Sequence, residues 1–341
     1  MKNNRRLLLL GKYASLFCLV TGLVFLISSW LLNDLSNLVS SPDDRLSSIF
    51  VNLPPEIYLT AKKIASEVLL NPYFYLLTAS ILILEKLIPA KKQKLFSVGL
   101  WQDFVWLIGS FAVYNFILVK YLNLIKYFYI NYFSQFTFDL PARLNLPHAV
   151  SFCLGILLMD FMSWLSHVIQ HKVPLIWNFH AVHHSQQELN LFTDLRFHFV
   201  DALTLYPLAI FTMSLFLIPF PQSSVYYLWF RTWYPRVYHA NIKSNFGWLH
   251  YILVTPQSHR IHHSVEAKHH DKNFGVMFSF WDRLFKTQYK EEHIYPDTGI
   301  VLMTKYPRYN AIFSYVVKSY LWDNLIPFQK IVIQYKNKLL I

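Results

Sequence analysis

Long apolar runs alternate along this chain with short basic stretches, and helices are the elements such runs predict. Tyr13 to Leu32 is a 20-residue run without a charge, long enough for an α-helix to cross the hydrocarbon core of a bilayer. Val68 to Leu84 and Phe104 to Val119 are further runs, parted by a polar stretch with Lys86, Lys91, Lys92 and Lys94, and they read as a helical hairpin. Ala149 to Leu165 is broken only by Asp160, and Phe199 to Phe220 only by Asp201 near its start. Val225 to Tyr238 carries Arg231, Pro235 and Arg236 and reads as a half-buried return helix. From Tyr121 to Phe138 aromatic and apolar residues mix with Lys126 and Asn131, a pattern suited to the membrane interface.

Composition agrees with a bilayer as solvent: 54% of the 341 residues are hydrophobic and 18% aromatic. The net charge of +12 does not point to nucleic acid, because the basic residues are scattered or flank apolar segments. Lys2, Arg5 and Arg6 precede the first run without a small-residue cleavage site, so that run reads as an uncleaved anchor. Cys18 and Cys153 both lie inside apolar runs and form no CxxC pair, which argues against disulfides and thiolate metal sites. The N-terminal cluster and the Lys91, Lys92, Lys94 loop fall on one side if the first two spans each cross once, and the positive-inside rule makes that side cytoplasmic. The fourth span then returns to the cytoplasm at His167. The stretch from Pro221 to Tyr238 brings the chain back, since about 18 helical residues reach about 27 Å.

On that face lie most of the fifteen histidines, in boxes. His167 and His171 stand four apart and share a helical face, so both imidazoles can chelate one metal. His180, His183 and His184 form an HxxHH triplet whose rings the spacing aims to one side, and His259, His262 and His263 repeat it after Thr255-Pro256. Eight imidazoles exceed what one tetrahedral site uses, so two metals are the natural reading. His198 and His239 start and end the membrane hairpin and are candidate further ligands. Asp160, two turns before His167 on the same face, either accepts that imidazole's distal N–H or is a polar residue facing the bundle interior. Asn241, Asp271 and Asn273 are further candidates for supporting the ligands. His148 falls at the opposite membrane face, His250 and His293 lack a partner spacing and read as structural, and His269 and His270 read as surface residues. An all-imidazole set suits iron, zinc, copper or nickel.

The HxxxH at His167 and His171, HxxHHS from His180 to Ser185, Arg-x-His at His198 and TPxxHxxHHS from Thr255 to Ser264 resemble the fatty acid hydroxylase and sterol desaturase superfamily. Asp271-Lys272-Asn273-Phe274-Gly275 and Trp281-Asp282-Arg283-Leu284-Phe285 resemble its C-terminal signature. The resemblance spans roughly Trp101 to Thr287. It implies two iron ions, with zinc an occupant in purified protein, at a cytoplasmic site that uses O2 to hydroxylate or desaturate a lipid. The chain departs from some members in having one histidine near Asn241 and Phe199-Val200 after Arg-x-His. No catalytic group beyond the metal ligands is expected. Only eight glycines are present and none form GxGxxG, so electrons come from an external ferredoxin or a cytochrome b5-like donor with its reductase. The competing classes are a metal transporter, which would place ligands near the bilayer midplane, and a non-catalytic metal-binding membrane protein.

The expected fold is all-α: a multi-span helical membrane protein with a cytoplasmic histidine-rich di-metal site and a mixed helical cap. Residues 1–97 read as anchor spans, 98–290 as the catalytic domain and 291–341 as a cytoplasmic tail.

Overall fold

A computed structural model describes residues 72–94, 96–107, 109, 121, 124, 127–133, 143–201, 203, 230–231, 233–291, 293–300 and 312–339. The expected span at 13–32, most of those at 104–119 and 199–220, and the start of that at 225–238 lie outside these residues. The described residues are helical, with no strand among them and three isolated bridges, Pro89 with Ile242, Leu253 with Phe278 and Ser264 with Thr298. The chain forms two compact units, Met1–Ile88 and Pro89–Ile341. In the first, helix α1 (Pro72–Leu87) coincides with the later part of the second expected span.

In the second unit, α2 (His148–Lys172) contains the expected fourth span. Its Ala149–Lys172 stretch is, among the described residues, the one helix long and apolar enough to cross a membrane. Pro174 ends α2: the residue before a proline is pushed out of the helical region, and Val173 is extended at φ −94° and ψ 110°. Pro174 then opens α3 (Pro174–His184) at the first helical turn, where its missing N–H costs nothing. The resulting corner packs α3 on α2, which brings the first two histidine boxes together.

The third box sits on α4 (Pro256–His262), whose start is fixed by a reciprocal cap. The Thr255 hydroxyl accepts the Ser258 amide N–H at 3.0 Å, and the Ser258 hydroxyl accepts that of Thr255 at 3.0 Å. A short α5 (Phe280–Leu284) follows, and α6 (Ile312–Leu339) closes the unit. Helix α6, in the expected tail, packs on α3. Its internal Pro327 has no N–H to give the carbonyl four residues back, that of Asp323.

A buried ion network ties these parts. Arg196 donates to Asp323 of α6 at 2.5 Å and reaches Asp103, in the helical residues 98–107, at 3.4 Å. Its Nε donates to the Val182 carbonyl and the Ser185 hydroxyl at the end of α3. Asp103 also accepts from Gln186, Asn190 and Thr193, each at 2.8 Å. Such a network is tolerable in the interior only because its members are hydrogen-bonded many times over.

Candidate metal centre

Nine histidines converge in two adjoining groups. The first holds His167, His171, His180, His184 and His262, the second His183, His239, His259 and His263, and within each the ligand atoms lie within 4.8 Å of one another. The groups share a wall, where His184 and His263 stack at 4.3 Å between ring centroids.

The grouping corrects the expectation that each triplet aims three rings one way. Residues four apart stay together: 167 with 171, 180 with 184, and 259 with 263. The residue at the third position crosses over, His183 to the second group and His262 to the first. On a helix of 3.6 residues per turn, i+3 and i+4 diverge by about 100° around the axis, so an HxxHH triplet serves two centres at once.

Ring tautomers show what these pockets fit. His183 and His239 donate their Nδ1–H to the carbonyls of Arg196 at 3.2 Å and Pro235 at 2.8 Å. Carbonyls only accept, so each Nε2 carries a bare lone pair. Yet the Nε2 atoms of His183 and His239 are 3.1 Å apart, those of His239 and His259 2.8 Å, and those of His259 and His263 3.1 Å. The lone pairs of His183 and His239 at that separation repel unless a cation lies between them, and the spacing of the set approaches the edge of about 3.3 Å that a tetrahedron of metal–nitrogen bonds near 2.0–2.1 Å would have. In the first group, His167 and His262 direct Nδ1 to the carbonyls of Phe274 and Lys272, both at 2.8 Å. The Nε2 atoms of His171, His180, His184 and His262 are buried with no hydrogen-bond partner among the described residues, a costly state that a metal would relieve. Burial first, then mutual proximity, holds His183, His184, His259 and His263 well below the ordinary imidazole range, and burial takes His239 and His262 to about 3. Neutral imidazoles are the form that binds metal.

His198 is not brought into either group. Its Nδ1 accepts the Val200 N–H at 3.2 Å and its Nε2 donates to the Asn324 carbonyl at 3.3 Å, in the turn of α6 before Pro327. Its ring lies between Phe179 and Phe328. His148 begins α2, at the opposite end of the helix from His171. His269 is fully buried on the Ser264 hydroxyl at 2.7 Å rather than at the surface, whereas His270 and His293 are exposed.

The four supporting candidates divide. Asp160 does not meet His167; its carboxylate accepts the amides of Met277 and Phe278 and the Trp281 indole, all at 3.0–3.1 Å. Asn241 pairs with Lys91 through both amide groups and accepts from Arg260. Asn273 accepts the Tyr289 amide and donates to the Ser258 carbonyl. Asp271 alone of the four approaches a clustered ring, 3.8 Å from His171 Nδ1, while holding Lys172 at 2.6 Å. Two residues outside that set matter as much. Asp201 lies 3.6 Å from His180 Nδ1. Asp282 accepts the amides of Phe274 and Gly275, the Trp164 indole and the Thr287 hydroxyl, and so fixes the loop whose Phe274 carbonyl orients His167. That loop turns through left-handed Asp271 and Asn273, both at φ 58°, residue types that tolerate it.

Beside the rings is a cavity of about 50 Å³ lined by histidines of both groups, His167 and His180 of the first and His183, His239 and His259 of the second. Gln170, Asp194, Phe197, Arg231 and Tyr238 complete much of its wall. Burial pushes the Asp194 carboxyl up to about 7 against the pull of Arg236 and Arg231.

Residues 152–287 match the family model for fatty acid hydroxylase. The chain is 33% identical over 181 residues to an alkylglycerol monooxygenase of Caenorhabditis elegans, covering 53% of this chain and 34% of that protein. It is 32% identical over 144 residues to an ornithine lipid hydroxylase of Rhizobium tropici, covering 41% and 42%. With human cholesterol 25-hydroxylase the identity is 29% over 154 residues, covering 44% and 54%. The chain thus spans between about a third and a half of the length of these relatives. No solved structure matches. All nine clustered histidines fall inside the matched residues, and the domain that carries them belongs to the fatty acid hydroxylase superfamily.

Proposed function

We propose that this chain is a membrane-bound di-iron oxygenase that hydroxylates a lipid, with residues 98–290 as catalytic domain, 1–97 as anchor and 291–341 as a cytoplasmic tail. The observation that carries the reading is one small cavity walled by histidines of two adjoining groups, where a substrate carbon meets both centres at once. The nine clustered histidines would hold the metals. Bound iron supplies the activation of dioxygen. In the overall reaction one oxygen atom enters a C–H bond and the other leaves as water, which takes two electrons and two protons from an external donor. Ferredoxin or a cytochrome b5-like protein with its reductase fits that role, since no nucleotide-binding fingerprint is present in the sequence.

The chain's own residues hold the ligands still. Backbone carbonyls of Arg196, Pro235, Phe274 and Lys272 fix four rings in the tautomer that turns Nε2 inward. Burial of the nine rings, His171 a little less deeply than the others, keeps bulk water from them. The site sits at the C-terminal end of α2, which favours a position at a membrane face, and the basic loop around Lys91 makes that face cytoplasmic in a multi-pass arrangement. A transporter would need a ligand path along the span, whereas on α2 the ligands are confined to its last two turns.

Metal analysis and lipid oxidation together test the proposal. Protein made under iron-replete conditions is expected to carry about two irons per chain and, with O2 and a reducing system, to add 16 mass units to a lipid. One metal per chain overturns the dinuclear reading, and two irons without any oxidised lipid across fatty acyl, sterol and ether lipids overturns the enzymatic one.

A further inference from the structure

The cavity beside the histidines is small and carries charged side chains in a wall that also holds Phe197, Tyr238 and Val276. Its volume of about 50 Å³ admits about four water-sized groups, and Asp194 and Arg231 stand in its wall. Asp194 is 8% exposed, with Oδ2 held 3.7 Å from Arg236 Nε. Its other oxygen, Oδ1, is buried and makes no hydrogen bond to another residue among the described residues. A carboxylate oxygen only accepts; the residue's own backbone amide bonds the carboxylate, and no other described residue supplies a donor to Oδ1. On the other side of the pair, Arg236 lies over the Trp233 ring at 4.3 Å to the centroid.

Resting on the oxygenase reading, we infer that Asp194 Oδ1 binds a hydrogen-bond donor of the lipid's polar end, a hydroxyl or an ammonium, so that the carbon oxidised lies within a few bonds of that group. The volume demands the second half of the statement, because a donor on Asp194 and a carbon against His183 or His239 share a space only a few atoms across. The apolar tail then extends away from the histidines instead of presenting its terminal methyl to them.

The experiment uses the full-length, iron-loaded protein in nanodiscs and measures displacement of a fluorescent lipid by paired probes. One pair is a monoalkyl glycerol ether and its di-O-methyl derivative; the other is an acyl ornithine and its trimethylammonium derivative. In at least one pair the donor-bearing member is expected to bind about tenfold tighter, the upper end of what one net hydrogen bond contributes, and the pair that discriminates tells hydroxyl from ammonium. Asp194→Ala brings that ratio to about one with bound iron unchanged, and Asp194→Asn, which keeps an acceptor oxygen, restores part of it. Equal binding within both pairs in the wild-type protein overturns the inference whether or not the variants fold, and so does a ratio that survives Asp194→Ala. Fragmentation of any product adds a separate reading: oxidation at the distal methyl end also overturns it. Donor preference without any product sinks the oxygenase reading and with it the position of oxidation, and leaves only the binding of the polar end by Asp194 standing.

Discussion

His198 and His183 are both buried, yet they use their ring nitrogens in opposite ways. His183 spends one nitrogen on a backbone carbonyl and turns the other on His239. His198 spends both on backbone, at Val200 and Asn324, and burial pushes its imidazole down to about 4. His198→Ala is therefore expected to keep two metals while losing about 1–3 kcal/mol of stability, from two hydrogen bonds and the ring packed against Phe179 and Phe328. His183→Ala and His262→Ala should each release metal, from different centres. Metal content beside the melting temperature of all three variants checks this; metal loss in His198→Ala would make it a ligand after all. Spacing made eight of the clustered histidines legible, because i, i+3 and i+4 are local relations, and topology added His239. Spacing could not exclude His198, whose partner lies 126 residues away in α6.

Helices α2, α3 and α4 carry the boxes, and each has a local device that sets its register. The Pro174 corner and the Thr255–Ser258 cap are both written in the sequence beside the histidines they place. The segment from Asp271 to Phe285 is different. Its motif is visible, but what it does depends on Asp282 meeting Trp164 across 118 residues and on Asp160 meeting Trp281 across 121. No periodicity reports such pairs, so the sequence leaves Asp160 between a partner of His167 and a polar residue of the bundle interior, whereas it braces this segment. Gly275 shows how tight the brace is. A Cβ there would lie 2.8 Å from Val254 Cγ2 and 3.0 Å from the Phe278 carbonyl. Gly275→Ala is expected to cost about 1–3 kcal/mol by overpacking and to shift the adjacent Phe274 carbonyl off His167, weakening the first centre more than the second. Thr255→Ala removes the cap and is expected to cost about 1 kcal/mol, with Thr255→Ser close to neutral. Thermal unfolding and metal titration of the three variants separate these effects, and equal loss from both centres in Gly275→Ala would count against the brace.

At the scale of the molecule, nine imidazoles are packed into two adjoining groups with ligand atoms within 4.8 Å of one another in each, and the rest of the second unit is arranged to hold them there. Arg196 is central to that arrangement: it joins α6 to the end of α3 through Asp323, Val182 and Ser185, and its own carbonyl orients His183. The arrangement makes acid the natural way to take the protein apart. His183, His184, His259 and His263 are held well below the ordinary imidazole value of 6.5, and His239 and His262 sit at about 3. In the unfolded chain the same rings protonate near 6.5. Below that pH the unfolded state binds more protons than the folded one, so stability falls as pH falls, and it continues to fall until the folded values near 3 are reached. Each group contributes at most about 1.4 kcal/mol per pH unit, against a net stability of about 5–15 kcal/mol for an ordinary domain. Several such groups acting together should unfold the metal-free site between about pH 6 and 5. Metal competes with protons for the same nitrogens, so the iron- or zinc-loaded protein should hold to a lower pH, and the gap between the two curves should widen with free metal concentration. Unfolding of both forms across pH 8 to 4, followed by near-ultraviolet circular dichroism, measures it. A metal-free protein whose stability is flat from pH 7 to 5 would mean that the rings are not buried together as neutral bases, and the two-centre arrangement would fall with that result.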